Sequence, residues 1–389
     1  MSIHVAIVRE RLRKLWRHLP LSAQRKRQLK AFIFTHLSFL IPDTIGRPWA
    51  CKTAHTLSKH DVAYAQRLVQ EKDAFDDLAE VHALPDIFHY WSNKHILPLV
   101  KEFQIEGVDQ FFAKYLAQAA LSENHPAPLF LSVGAGNCDT EVRVAKLLRQ
   151  GGLKEFTIEC MEYNAEMLAR GKSHARQEGV SEHISFLQAD ANSWRPSSKY
   201  AGVMANQSLH HIVNLEGLFD AIHSHLHKCG LFVVSDIIGR NGHQRWPEAL
   251  KCVHSFWKEL PKPHRYNHAL NRSEQLYENW DWSTSGFEGI RAQDILPLLI
   301  KRFSVALFIP FGNVIDVFVD RAFGYNFDPR REWDRQFIDR VHECDEEGFK
   351  NGSLKPTHMM AVFTHTPLGQ AMISRGLSAA FCVREPTSE

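Results

Sequence analysis

A doubly wound α/β fold is what this sequence predicts, and three observations lead there. From Pro128 onward, short runs that are apolar throughout alternate with segments of helical periodicity. Two glycines one residue apart, Gly134 and Gly136, directly follow the first such run, and later runs end in acidic or amide residues. Strands with no alternating polar face are buried on both sides, which requires a parallel sheet covered by helices on both faces.

The strands read in order as LFLSV, FTIECME, ISFLQAD, YAGVMANQ, LFVVSDII, SVALFIPFG and THMMAVFTH. EVRVAKLLRQGG, AEMLARGKSHARQEG and LEGLFDAIHSHLHKCG supply amphipathic helices between the early ones. The last two strands, separated by mixed residues, are expected to pair antiparallel, so that a seven-stranded sheet ends on a reversed strand. The expected organisation is a helical N-terminal extension or lid over residues 1–120, the sheet domain over 121–370, and a C-terminal tail over 371–389. Residues 239–290, rich in Trp, His and Tyr, form an insertion after the fifth strand on the substrate side, and 319–355 form another after the sixth.

Ahead of the sheet, residues 5–41 read as two short helices broken at HLPLS, where Pro20 stops one and Ser22 caps the next. On the second, Leu29, Phe32, Ile33, Leu37 and Leu40 lie opposite Arg25, Lys26, Arg27 and Lys30, making a basic amphipathic helix. Its apolar stripe docks on the protein or on an anionic membrane surface. Residues 55–120 read as further helices, PDIFHYWSNKHILPLV beginning at Pro85 in the first-turn position that proline tolerates.

Composition bounds the function. A net charge of +2 argues against broad nucleic-acid binding, although residues 1–30 hold nine Lys/Arg against the single acid Glu10. No long uncharged apolar run or secretory leader pattern is present, so the expected location is the cytoplasm, with peripheral contact at the inner face of the membrane through the basic helices. The seven cysteines are scattered singly, without CxxC pairs, and read as reduced.

In a doubly wound sheet, ligands bind beyond the carboxyl ends of the strands. Gly134, Ala135, Gly136 and Asn137 form a tight turn there, before a helix that begins at Asp139. A dinucleotide site would want a third glycine at position 139, leaving amides for a pyrophosphate; Asp139 repels phosphate instead. The loop therefore suits a nucleoside without phosphates. Glu162, ending the second strand, can accept both ribose hydroxyls, with Tyr163 beside it, and Asp190 with Ala191 can take an exocyclic amine. The fourth strand brings Asn206, Gln207, His210 and His211 to the mouth of the crevice.

In their order, VGAGN, CMEYNAEML, LQAD, MANQSLHHIVNLEGLF and LHKCGLFVVSDIIG resemble the motifs of the class I S-adenosylmethionine-dependent methyltransferases, over residues 129–240. The resemblance implies a Rossmann-like fold with S-adenosylmethionine as cofactor, Gly134 and Gly136 flanking its methionine part, Glu162 its ribose and Asp190 its adenine. Two departures stand out: Ser132 occupies a position where the family often has an acidic residue, and Cys138 one where it often has a third glycine. Tyr90, in the lid segment FHYWSNK, is expected to reach the methionine carboxylate.

Methyl transfer from a sulfonium needs a placed nucleophile and, for a hydroxyl, a base. His210 and His211 are the leading candidates because imidazole titrates near neutral pH. Asp236, after LFVVS, is a second candidate base or a metal ligand, although no HxxH or paired-carboxylate spacing marks a metal site and none is expected. His243 and Arg245, beyond the fifth strand, are expected to face substrate. The segments after residue 236 resemble a bacterial methyltransferase group often found near glycan-assembly genes, and the N-terminal helices are similar to segments preceding glycosyltransferase domains. Together these point toward O-methylation of a small-molecule or glycan hydroxyl. An aromatic metabolite methylated on N or O, and a non-catalytic membrane-surface scaffold, are the alternatives.

Overall fold

The computed structural model describes residues 64–68, 71, 83–123, 126–284, 286–367 and 369–384. The chain divides into two units, Met1–Tyr64 and Ala65–Glu389, and the elements described here belong to the second. The helices expected across residues 5–41, with their apolar stripe, lie outside the described residues.

Among the described residues ten strands occur in order: β1 Leu129–Val133, β2 Thr157–Glu162, β3 Ile184–Gln188, β4 Tyr200–Asn206, β5 Leu226–Ile237, β6 Tyr266–Asn267, β7 Arg272–Ser273, β8 Ser304–Phe311, β9 His358–Thr364 and β10 Met372–Ile373. Eight form one sheet in the order β10-β8-β9-β5-β4-β1-β2-β3, while β6 and β7 make a separate hairpin. Only β9 runs against its neighbours in the large sheet, paired with β5 and β8. The expected antiparallel pairing of the last two long strands is present, with Phe308 opposite Ala361. The sheet has one strand more than the seven read from sequence: Met372–Ile373 pairs parallel with β8 at the edge. Two residues carry no periodicity, which is why this strand was invisible in the sequence.

The strand order reverses at β1, where β4 lies on one side and β2 on the other. Such a switch opens a crevice at the carboxyl ends of β1 and β4. Side chains alternate between two cores. Phe130, Ile158, Cys160, Leu231 and Val233 pack beneath the helices Val108–Glu123 and Asp139–Gln150. Leu131, Val133, Val203, Phe232 and Val234 pack on the other face against Leu215–His225 and Ala292–Arg302. Each fully buried Leu, Val or Phe contributes about 1.5–3 kcal/mol, so these two layers hold the sheet.

A third, aromatic core joins Ile87, Trp91, Trp257, Phe318, Phe323 and Phe337. It unites the helix Asp86–Trp91 with the insertions after β5 and β8. Pro85 is the N-cap residue of that first helix, one position before the expected start. The helix Val108–Glu123 packs on β4 and β5, so residues 108–120 are continuous with the sheet domain. At the other end β10 and the short helix Ala379–Cys382, capped by Ser378, are likewise part of the fold. No helix among the described residues is long and apolar enough to cross a membrane.

Candidate active site

The glycine loop is built by backbone necessity. Gly134 has φ +67°, and a Cβ there would stand 2.7 Å from the Cβ of Ser208. Ser208 approaches so closely because its hydroxyl donates to the Val133 carbonyl at 2.6 Å. Gly136 is also left-handed, at φ +55°, and so is Cys138, at φ 59°. The position that the related motif often fills with glycine thus keeps glycine's conformation while carrying a thiol.

Glu162, at the carboxyl end of β2, reaches this loop. Its carboxylate accepts from Gly136 N at 3.1 Å and from Asn164 N at 2.8 Å. Asn164 in turn caps the helix Ala165–Gln177, accepting from Glu166 N. Burial raises the Glu162 carboxyl above its ordinary range, opposed by these amide bonds. The Ser132 hydroxyl donates to Glu141 Oε1 at 2.6 Å, while Glu141 Oε2 is buried with no hydrogen-bond partner among the described residues. Burial pushes Glu141 up to about 7, despite the Ser132 bond.

Beyond β4 and β5 three imidazoles surround one carboxylate. Asp236 is fully buried and accepts from the amides of Ser208 at 2.9 Å and Leu209 at 2.8 Å. Its other oxygen lies 2.6 Å from His210 Nδ1, which leaves Nε2 turned toward the crevice. Glu288 Oε1 stands 3.5 Å from that Nε2 and 2.6 Å from His243 Nε2. Glu288 Oε2 stands 3.8 Å from His211 Nε2, and Glu71 Oε1 lies 2.7 Å from His211 Nδ1. Burial alone would raise Glu288, but His211, His210 and His243 hold it well below the usual carboxylate range. Burial likewise opposes the charge on His210, yet Asp236 and Glu288 push it up to about 10. His243 is lowered, because burial outweighs Glu288.

Two loops are pinned together to make this cluster. Gly242 N donates to the Gly289 carbonyl at 2.8 Å, and Ile290 N donates to the His210 carbonyl at 3.0 Å. His243 adopts φ 54°, a conformation that is uncommon without glycine and is held only where surroundings fix it.

The structure brings Gly136 and Glu162 together at one sheet edge and His210, His211 and His243 around Glu288, with Asp236 behind His210. The remaining expected residues are placed as follows. Asn137 is buried and accepts from Arg170 at 2.8 Å, and Asn206 donates to Thr140 at 3.2 Å. Ala135 N donates to the Met161 carbonyl, Tyr163 is exposed, and Ala191 packs at the margin of the second core. Asp190 accepts from Asn192 N at 2.9 Å and borders a cavity of about 410 Å³ lined by Glu159, Leu187, Trp194, Arg195 and Tyr200.

Three expectations change. Tyr90 was expected at the methionine carboxylate, but its hydroxyl is bound to Asp339 at 3.0 Å, together with Lys94. Arg245, expected to face substrate, is buried and bonds Asp316 at 2.8 Å and the His243 carbonyl at 2.9 Å; it holds the loop instead of meeting a ligand. Asp236 is enclosed by backbone amides and His210, so it orients the imidazole and cannot itself receive a proton from an acceptor. Glu288 and Glu71 were not singled out from sequence. Nothing in FEGIRAQD distinguishes a site carboxylate from a surface one, and Glu71 sits in a segment that reads only as helix.

Residues 130–230 match the family model described as a methyltransferase domain. The chain thus carries a methyltransferase domain on a doubly wound sheet, which supports an S-adenosylmethionine-dependent methyl-transfer activity. No curated protein matches the chain in sequence. Among solved structures it is similar to residues 942–1257 of the StiE O-methyltransferase, at 11% identity and a TM-score of 0.36 over 64% of this chain and 77% of that one. The [4+2]-cyclase SpnF is similar at 15% identity and a TM-score of 0.36, over 66% and 82% of the two chains. Geranyl diphosphate C-methyltransferase from Streptomyces coelicolor A3(2), solved with Mg2+, geranyl-S-thiolodiphosphate and S-adenosyl-L-homocysteine, is similar at 14% identity and a TM-score of 0.36, over 64% and 76%. Likeness at this level carries no argument about the acceptor.

Proposed function

We propose that this methyltransferase acts on a hydroxyl of a small molecule or glycan, with His211 as the base. The observation that carries the reading is the packing of the Ser208–His211 turn directly on the glycine loop, through the 2.6 Å bond from Ser208 to Val133. Glu162 and the first two glycines would hold the nucleoside and methionine parts, Asp190 the adenine, and the imidazoles stand next to that cradle. His210 is locked on Asp236 and is charged at neutral pH, which makes it an orienting cation and a poor proton acceptor. His211 is the more exposed of the pair, with 21% of its side chain accessible against 5%. Glu71 beside Nδ1 favours the proton there and leaves the Nε2 lone pair facing the crevice.

With S-adenosylmethionine bound, its sulfonium would supply the methyl group, the new C–O bond forming as the S–CH3 bond breaks and S-adenosylhomocysteine leaving. The hydroxyl proton passes to His211 Nε2. The protein's contribution is alignment and proton removal, the latter worth about 10²–10⁴-fold. The test is a panel of sugar, aliphatic and aromatic acceptors assayed by S-adenosylhomocysteine release and product mass spectrometry. O-methyl products, with kcat lowered about 10²–10⁴-fold in His211→Ala at unchanged cofactor affinity, are expected. N-methyl products, or an unaffected His211→Ala enzyme, would overturn the reading.

A further inference from the structure

We infer that His210, His243 and Glu288 form a binding site for one divalent transition-metal cation, seated where the acceptor oxygen is presented to the methyl group. Their ligand atoms all lie within 4.8 Å of one another, and each comes from a different loop of the crevice. Bonds of about 2.0–2.2 Å to two imidazoles and a carboxylate would be reached by small side-chain movements. Two imidazoles with one carboxylate suit Zn2+, Mn2+ or Fe2+ better than Mg2+ or Ca2+, which take oxygen ligands. Three protein ligands leave coordination positions open for an acceptor oxygen.

Two features beyond proximity point to a cation. The first is the outer shell. Asp236, fully buried, holds His210 Nδ1 at 2.6 Å, so the other ring nitrogen is aimed as a ligand; carboxylate–histidine–metal relays are built this way. The second is His243, whose Nδ1 is buried with no hydrogen-bond partner among the described residues. Its Nε2 faces Glu288 from a left-handed backbone fixed by the Gly242–Gly289 bond. The His210 and His211 rings are 4.3 Å apart and the His210 and His243 rings 5.2 Å apart, and among the described residues Glu288 is the one anion facing all three. A cation between His210, His243 and Glu288 would displace the proton through which His210 Nε2 faces that carboxylate and put its own positive charge there. His211 remains outside the ligand set. This inference rests on the hydroxyl reading only for the cation's role, which is to bind the acceptor oxygen and ease loss of its proton to His211.

The test uses the full chain, stripped with a chelator and titrated separately with Zn2+ and with Mn2+, against His243→Ala, Glu288→Gln and Asp236→Asn. Wild type is expected to bind one equivalent of at least one of these ions. His243→Ala and Glu288→Gln should weaken it by more than about a hundredfold, and Asp236→Asn by about ten- to a hundredfold, the effect of an outer-shell partner. Titration with S-adenosylmethionine, at a site these residues do not form, verifies that each variant is folded. Absence of stoichiometric binding of either ion by wild type, or unchanged affinity in folded His243→Ala and Glu288→Gln, overturns the proposal. Metal binding without methylation of any hydroxyl would leave the site standing and remove the acceptor reading instead.

Discussion

Asp236 joins His210 to the end of β4: one oxygen lies 2.6 Å from the imidazole Nδ1, and the other receives the amides of Ser208 and Leu209 at 2.9 and 2.8 Å. One buried carboxylate thereby fixes both the turn that touches the cofactor loop and the ring that faces the acceptor. Asp236→Ala leaves those amides and a buried imidazolium without their anion, a loss of about 3–5 kcal/mol. Chemical denaturation should register that loss. A stability within about 0.5 kcal/mol of wild type, the range of ordinary surface changes, would show that the carboxylate does not organise the turn.

Arg245 is predicted to matter for folding and not for substrate. It lies buried against Asp316 at 2.8 Å, and burial of Asp316 is offset by His358 and Arg245, which hold it at about 2. Removing the guanidinium in Arg245→Met strands that charge and should cost about 3–5 kcal/mol, lowering Tm. The KM for acceptor in the folded fraction should stay as in wild type; a selective rise in KM at unchanged Tm would return Arg245 to the substrate site.

Glu141 gives a pH dependence with a defined sign. Its folded value, about 7, is above the 4.5 of the unfolded chain, so the neutral acid is the form the native state favours. Below 4.5 both states are protonated and nothing is lost. As pH rises from 4.5 to 7 the unfolded chain ionises first, and the native state loses up to about 3 kcal/mol relative to it. Glu141→Gln cannot ionise, so its stability relative to wild type should climb across that window and level off above pH 7. Melting curves of both proteins without cofactor check this; a difference independent of pH would contradict it.

Gly134→Ala combines a left-handed backbone with a Cβ placed 2.7 Å from Ser208. Relief requires the glycine loop and the Ser208–His211 turn to separate. The strain alone is about 1–3 kcal/mol, and cofactor binding should be lost with the loop's shape. Cofactor affinity equal to wild type in this variant would mean that the loop does not shape the cradle.

The sheet was legible because its signal is local. Apolar runs such as LFLSV and LFVVSDII mark strands buried on both faces, and the residues just after them fall at one edge whatever the details of packing. For the same reason Gly134, Glu162 and His210 could be placed near each other from sequence. Glu288 and Glu71 could not, because their approach to His210 and His211 depends on tertiary bonds such as Ile290 to His210 and Phe287 to Glu71. Arg245 and Tyr90 show the same limit: a loop beyond a strand and a lid helix suggest ligand contacts, whereas the bonds they make in the structure are to Asp316 and Asp339. Periodicity reports which face of an element is buried, not which charge will be opposite it.

The most direct test of the whole account is calorimetric titration of S-adenosylmethionine into wild type and Glu162→Ala. Charge-assisted bonds from a carboxylate to ribose hydroxyls are worth about 1.5–3 kcal/mol, so the variant should bind about ten- to a hundredfold more weakly at an unchanged one-to-one stoichiometry. Equal affinity of the two proteins would place the cofactor somewhere other than the cradle between Glu162 and the glycine loop, and the positions assigned to every group around it would fall.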